Sequence, residues 1–154
     1  MNEGANTCRF IQTWIQPDRG GHAPQYGSRA FGEAERRNRM LQILRGTGAA
    51  PQWGQGDGGD VPALHQDANV FVSEADAGHR LSLPIGPDRQ AYLLCIEGGA
   101  TVGTSTEEVT LVERDAVEVL GGGKHAAPFE LVAGEKGVHV LVVEMKKTRH
   151  QADK

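Results

Sequence analysis

Histidines and one aspartate are the residues of this sequence best suited to metal or acid–base chemistry. His65 and Asp67 are two positions apart, so on a β-strand they share a face and could chelate a metal or form a hydrogen-bonded acid–base pair. His79 and His139 lie in other predicted strands and could join His65 in a three-histidine site. Because no spacing rule supplies that third ligand, we favour a structural role, in which His65 or Asp67 satisfies backbone donors near a glycine-rich loop. The sequence therefore predicts no metal site and no cofactor in this chain.

Nucleophilic chemistry is not indicated either. Cys95 is flanked by Leu94 and Ile96, which predicts a raised pKa and an inert thiol. Cys8 also stands in an apolar stretch, so both thiols are predicted to be buried and reduced, although a pairing between them remains open. The serines lie outside any nucleophile-elbow pattern. The remaining histidines are expected to be solvated in turns or in the tail: His22, His125 and His150.

A compact group of arginines lies within the first third of the chain. Arg36, Arg37 and Arg39 could hold an anionic partner, but salt bridges to Glu33, Glu35 or other carboxylates are the commoner outcome. We therefore predict a structural role for this group.

Length, composition and charge narrow the class of protein. The chain has 154 residues, of which 38% are hydrophobic and 23% charged, as expected of one domain. Its formal net charge of -4 offers no attraction for nucleic acid or an anionic membrane. The N-terminus lacks a secretory pattern and no apolar run could span a membrane, so we expect an intracellular, cytoplasmic protein, with organelle or nucleus open.

Glycine and proline separate short apolar runs along the whole chain, a pattern typical of an all-β domain. Phe10–Ile15 alternates large apolar and polar side chains and predicts a strand; Phe31–Asn38 predicts one helical turn. Gly46–Pro62 predicts a long loop. Trp53 within it could pin the loop to the body of the domain or stand exposed as a contact residue. The final strand, almost continuously apolar, should lie centrally in the sheet. The other strands are predicted at Met40–Leu44, Leu64–Val72, His79–Pro84, Ala91–Glu97, Gly99–Val102, Glu108–Val112, Ala116–Leu120, Phe129–Val132 and Val138–Met145.

Four segments of the chain read, in order, FIQTWIQPDRGGHAPQY, ERRNRMLQIL, ALHQDANVFV and RQAYLLCIEGGATVG. In this order they resemble the pirin family of bicupin proteins, which are related to bacterial quercetinases. The resemblance implies the C-terminal cupin of such a protein, a jelly-roll β-sandwich or barrel with an extra N-terminal strand. It divides the chain into residues 1–17, the last strand of a preceding cupin with a linker, residues 18–145, the cupin itself, and residues 146–154, a basic flexible tail.

The resemblance also implies where a metal would lie in a full-length family member. Pirin-like proteins hold iron or a similar divalent metal with histidines and a glutamate in the N-terminal cupin. The last of those ligands belongs to a His-Ser-Glu phrase just upstream of the segment that MNEGANTCRFIQTWI resembles. This chain begins after that phrase, so we expect most of the metal-bearing cupin to be missing, and leave open whether Met1 is the true start.

The remaining cupin can be checked against the metal-binding cupin motif by counting. That motif, Gly-x5-His-x-His-x3-4-Glu-x6-Gly, places imidazole and carboxylate ligands on one face of the barrel. Pro84 and Gly86 stand at the histidine positions counted from Gly78, and Ala91 stands at the glutamate position counted from Gly98. A hydrophobic residue also stands where the second motif needs histidine. We therefore expect none of the four ligand positions to be filled.

The sequence leaves three functional hypotheses open. The leading hypothesis is a non-catalytic interaction module that self-associates or joins a larger complex, because an exposed apolar strand is a template for pairing. The second is part of a metal-dependent, quercetinase-like dioxygenase whose metal site lies in the missing half. The third is a small-ligand binder that uses the barrel interior. The residues predicted for the interaction are Phe10, Ile11, Trp14, Ile15 and Trp53.

Overall fold

Seven antiparallel strands and one short helix make up the regular structure of the described part of the chain. The computed structural model describes residues 4–5, 8–47, 61–104, 107–122 and 128–147. The predicted all-β class is confirmed, with the single helical turn in its predicted place. Trp53, His125 and His150 lie outside the described residues, as does most of the predicted Gly46–Pro62 loop. The elements are α1 Glu33–Arg36, β1 Leu41–Leu44, β2 Ala68–Ala75, β3 Arg80–Leu83, β4 Arg89–Gly103, β5 Glu108–Val112, β6 Ala116–Leu120 and β7 Phe129–Lys146.

Strand β7 lies at the centre of the sheet, as its nearly continuous apolar sequence predicts. The order is β1-β2-β7-β4-β5, with β3 paired to β7 and β6 paired to β4. The first part of β7 pairs with β3 and the second part with β2, while β4 follows it along both parts. The sheet therefore bends around β4 and β7, and its concave face encloses the core.

Strands β4 and β7 are each continuous where two strands were predicted. The sequence suggested a break at Gly98 in β4 and another between residues 133 and 137 in β7. The structure has register irregularities at these places instead, and both Gly98 and Gly137 have positive φ angles, 75° and 73°. Glycine here permits a sharp bend without ending the strand. The two-strand interpretation was wrong because a turn residue inside a strand pattern can also mark a bulge.

The two faces of the sheet carry different side chains. On the inner face, alternate residues of the strands form one hydrophobic cluster in which Phe71, Leu93 and Val140 are completely buried. Leu131 and Leu83 extend this cluster under the first half of β7, also at 0% exposure. The barrel interior that sequence reasoning offered as a ligand pocket is therefore occupied by packed side chains in the described part of the chain.

The segment before the first strand departs from its prediction. Residues 8–19 contain no strand, so the strand predicted at Phe10–Ile15 is wrong. The segment instead crosses the outer face of the sheet, where Arg9 pairs with Glu97. Its alternating side chains predicted one covered face, but of its large apolar side chains only Ile15 is half-buried, and alternation does not say whether a segment pairs through its backbone or lies across a sheet face. Cys8, predicted buried, is exposed for the same reason.

Candidate functional site

Two of the family-like phrases meet Glu144 of β7 in one polar cluster at the end of the barrel. The Arg89 guanidinium pairs with the Glu144 carboxylate through two nitrogens, one of them 2.8 Å from Oε2, and Arg89 Nη1 donates to Asp67 Oδ1 at 2.6 Å. The Asn69 amide donates to Glu144 Oε2 at 3.0 Å. Glu144 is only 1% exposed, so its charge is stabilised by these donors, and the two carboxylates raise the pKa of Arg89. Asp67 is therefore committed to Arg89.

The sequence Arg37-Asn38-Arg39, within the phrase ERRNRMLQIL, has a separate structural role. Asn38, in the left-handed region at φ 57°, donates from its amide to Asp76 Oδ2 at 2.8 Å and accepts the Asp76 backbone N–H at 2.8 Å. Arg37 pairs with Asp76 Oδ1 at 2.9 Å and with Glu33 at 3.1 Å. His79 Nε2 donates to the Asn38 carbonyl oxygen at 3.0 Å. The phrase thus fastens helix α1 to the turn between β2 and β3. Arg36 and Arg37 form the predicted salt bridges, to Glu74 and to Glu33 and Asp76, whereas Arg39 donates to the backbone carbonyls of Glu35 and Ala34.

This clamp is expected to make stability depend on acid pH through Asp76. The Asn38 amide and then Arg37 lower the pKa of Asp76 below its ordinary value of 3.8. As pH falls, Asp76 therefore takes up its proton first in the unfolded chain. The contribution of Asp76 to the free energy of unfolding is complete well above pH 4 and disappears as pH falls through its folded-state pKa. Urea unfolding of the wild type and Asp76→Asn should show a stability difference at pH 7 that shrinks towards pH 3. A difference unchanged across that range would contradict the assignment.

His65 has a partner that sequence reasoning placed in solvent. Its ring stacks on His22 with centroids 3.9 Å apart and an interplanar angle of 4°. His22 Nε2 donates to Asp18 Oδ1 at 2.6 Å, which lowers the Asp18 pKa, and the Asp18 backbone N–H donates to the His65 carbonyl at 2.7 Å. Gln66 also donates to the Gln16 carbonyl. The prediction of a solvated His22 was wrong; the pair fixes the end of the N-terminal segment to the barrel.

The last histidine candidate, His139, lies on the outer face of β7. Its Nδ1 is 3.8 Å from Glu74 Oε1, and Glu74 is also paired with Arg36 at 2.8 Å. Burial lowers the pKa of His139 against the opposing effect of Glu74. The four metal candidates thus belong to four separate contacts. Within the ranges that the structure describes, no group of three or more His, Cys, Asp or Glu side chains could hold a metal ion.

The positions at which the first cupin motif places metal ligands do not fit a metal in this chain. Ala91 is 1% exposed and belongs to the hydrophobic cluster, where its register partners are Glu144 and Val119. Pro84 is exposed and Gly86 half-buried, and neither residue has a side-chain donor atom. These positions therefore supply packing and turn geometry rather than coordination. Absence of metal from the whole protein stays a prediction.

Cys95 behaves as its sequence context predicts. It is completely buried on the inner face of β4 and belongs to the hydrophobic cluster. Burial, with a smaller contribution from Asp115, raises the pKa of its thiol. The thiol is therefore held in the neutral form, which is a poor nucleophile.

An apolar surface is formed by the outer face of β2, β7 and β4 together with the N-terminal segment; we call it the outer patch. Two cavities lie between segment and sheet. One, of about 650 Å³, has Val72, Leu94 and Leu141 in its walls. The other, of about 420 Å³, has Val143 and Met145 in its walls. The segment therefore covers this face incompletely.

The segment itself presents its aromatic side chains to solvent. Phe10 is 85% exposed and Trp14 is 86% exposed, while Ile11 is 47% exposed and Ile15 half-buried. Tyr92 of β4, which lines the smaller cavity, is 48% exposed. Sequence reasoning missed Tyr92, although its place beside Leu94 on alternate positions of an apolar strand was a signal for a second apolar face. Exposed aromatic clusters of this kind mark interaction sites more often than solvated surface.

A bent antiparallel sheet around a filled apolar core, with short strands wrapped around two long central ones, defines a cupin. The solved structure of YhhW from Escherichia coli has the same fold, with a TM-score of 0.66 at 17% identity over 89% of this chain and 50% of that one. The family described as the quercetinase C-terminal cupin domain matches residues 54–145, more than half of the chain. The chain belongs to this family, as the ordered phrases of the sequence predicted.

The similarity to individual relatives covers more of this chain than the family match does. A pirin-like protein of Caulobacter vibrioides is 29% identical over 136 residues, which cover 88% of this chain and 52% of the relative. The protein named "Putative quercetin 2,3-dioxygenase" in Zymomonas mobilis is 29% identical over 142 residues, covering 92% and 54% respectively. The chain spans about half the length of these curated relatives. Among the described residues, no helix has the length and apolar character needed to cross a membrane.

Proposed function

We propose that this chain is a non-catalytic cupin module that acts by protein–protein contact through its outer patch, in a homo-oligomer or larger complex. The observation that carries the proposal is the exposure of Phe10 and Trp14 on a segment that leaves two cavities between itself and the sheet. Aromatic side chains at the centre of an apolar patch supply much of the binding energy of protein interfaces. The outer patch thus has the composition of an interface that lacks its second half.

The residues elsewhere support a structural role for the barrel. The most distinctive polar residues of the family-like phrases, such as Asn38, Asp67 and Arg89, are engaged in hydrogen bonds and ion pairs that hold the fold. The first-motif ligand positions carry no donor side chain, and the Cys95 thiol is buried with a raised pKa. These polar groups are therefore engaged in holding the fold, while Phe10 and Trp14 of the outer patch are exposed.

The proposal is tested by measuring association of the chain. Multi-angle light scattering of the wild type should show a species larger than the monomer, and sedimentation should give its dissociation constant. Replacing both aromatics, Phe10→Ser with Trp14→Ser, should weaken association at least about 30-fold, because each contributes as an interface hot spot.

Tyr26→Ser is the matched control, since Tyr26 is 96% exposed but lies outside the outer patch. Its association should equal that of the wild type. A strictly monomeric wild-type chain would contradict the proposal, and so would a stoichiometric transition metal in the purified chain.

The alternative function is a contribution to a metal-dependent, quercetinase-like dioxygenase. The name of the Zymomonas mobilis relative and the solved complex of YhhW with nickel(II) favour it. In such an assembly, the cupin described above would contribute a packed half and the metal would lie elsewhere, because Pro84, Gly86 and Ala91 provide no ligands. A small molecule bound in the barrel interior is less supported, because core side chains fill that space.

A further inference from the structure

Two stacked histidines join the end of the N-terminal segment to the barrel. We propose that this stack is a pH-sensitive latch, which holds residues 16–22 on the barrel at neutral pH and releases them when both imidazole rings are protonated. The inference goes beyond the proposed function, because it concerns how the segment is held on its own barrel and not what binds to the outer patch.

The latch consists of the stack and two hydrogen bonds beside it. The ring centroids of His22 and His65 are 3.9 Å apart, and the ring planes are 4° from parallel. The Asp18 backbone N–H donates to the His65 carbonyl oxygen at 2.7 Å, and Gln66 Nε2 donates to the Gln16 carbonyl oxygen at 2.9 Å. The segment is thus held by two consecutive residues of the barrel, and a force that separates the rings also acts on the backbone bond of Asp18.

The charge on the two rings determines whether they can remain stacked. A histidine in water gains its proton between about pH 7 and pH 6. With at most one ring protonated, the stack contains no repulsion between like charges. With both rings protonated, two positive charges about 4 Å apart disfavour the docked arrangement by roughly five-fold even in water. Acid pH therefore favours release of the segment.

On the segment side, Asp18 is the carboxylate that lies against the stack. His22 Nε2 donates to Asp18 Oδ1 at 2.6 Å, and this bond lowers the pKa of Asp18, so its carboxylate stays ionised at mildly acid pH. Asp18 can therefore balance the charge of His22, while Arg19 beside it adds a positive charge. Asp18 and His22 both belong to the segment, so their bond does not depend on docking and does not oppose release.

On the barrel side, the neighbouring charges do not balance a proton on His65. Asp67, two positions along the chain, is paired with Arg89 at 2.6 Å. The Leu64 backbone N–H donates to the Arg45 carbonyl oxygen, which brings the chain at a second basic residue beside this turn. A proton on His65 would thus add a charge that Asp67, already committed to Arg89, does not neutralise.

The test follows the backbone bond of Asp18 by amide hydrogen exchange in NMR spectra. At each pH, the rate expected for an unstructured amide is divided by the measured rate, which gives a protection factor that is corrected for pH. The Gly121 N–H, which donates to the Arg89 carbonyl oxygen at 2.9 Å, is the reference for the barrel. The matched variant is His65→Phe, which keeps an aromatic ring for stacking and removes the second charge.

Between pH 7.5 and pH 5, the protection of Asp18 in the wild type should fall at least roughly five-fold relative to Gly121, because of the repulsion between the rings. In His65→Phe, the same ratio should stay nearly constant. A wild-type ratio that does not change would overturn the latch, and so would an equal fall in the variant. An equal fall at Gly121 would mean that the whole barrel loosens, which would also overturn a local release.

Salt provides a second measurement that needs no variant. At 1 M NaCl, charges are screened over a length of about 3 Å, so the fall in protection of the wild type should become smaller. A fall that salt leaves unchanged would not arise from repulsion between the rings and would overturn the proposal, even if His65→Phe did not fold.

Discussion

Replacing Arg89 by methionine is expected to lower the free energy of unfolding by about 3–5 kcal/mol, the cost of removing one partner of a buried ion pair. Glu144 is 1% exposed and would keep the Asn69 amide as its donor within the polar cluster, so its carboxylate would be left buried without a balancing charge. Asp67, at 30% side-chain exposure, can recover hydration. The measurement is urea unfolding followed by circular dichroism at pH 7.

Two further variants separate the charge from the packing. Combining Arg89→Met with Glu144→Leu removes both charges and should recover much of the lost stability, because apolar replacements of a buried pair are often tolerated. Arg80→Met is the surface control: Arg80 and Glu130 are 3.0 Å apart but 67% and 54% exposed, so the change should stay below about 1 kcal/mol. Equal losses of unfolding free energy for Arg89→Met and Arg80→Met would show that burial of the cluster does not increase its contribution to stability.

The second large effect is expected at Gly98, where Gly98→Ala should lower the free energy of unfolding by more than about 3 kcal/mol. Two causes add together. The backbone there has φ 75°, which costs an L-residue about 1–3 kcal/mol, and the new Cβ would overlap the Gly137 carbonyl oxygen of the neighbouring strand. Because the obstacle is backbone, it cannot be relieved by a side-chain rotation.

Gly78→Ala isolates the first of these causes. Gly78 has a similar φ of 71°, but a Cβ at that position would have no atom within 4 Å. Its loss of stability should therefore be limited to the backbone strain, about 1–3 kcal/mol. If denaturant midpoints show the two alanine variants to be equally stable, the close approach of β4 and β7 is not a constraint on the sequence.

The sequence predicts the regular strands well where alternation and turn residues agree. Glu108–Val112 and Ala116–Leu120 are confirmed to the residue, because both faces of each strand and both flanking turns have clear patterns. The break predicted at Gly98 is wrong because glycine occurs both in turns and in bulges, and the two cannot be told apart by residue type. The strand predicted at Phe10–Ile15 is wrong because alternating side chains do not require hydrogen bonding to a neighbouring strand.

The polar cluster could be predicted only in part. A glutamate inside the apolar run VHVLVVEM signals that Glu144 needs a buried cation, since a buried charge without a partner is costly. The sequence cannot say that this cation is Arg89, because the two residues are 55 positions apart and meet only when β4 pairs with β7. The outer patch was foreseen through Phe10 and Trp14, but its sheet half depends on topology.

The bend at Gly98 and Gly137 also determines how the domain comes apart. Because β4 and β7 run unbroken through the bend, every other strand except β1 is hydrogen-bonded to one of them. Unfolding at either end of the sheet therefore disturbs the same two strands that hold the opposite end. No seam separates one half of the described strands from the other, so these strands should melt as one cooperative unit.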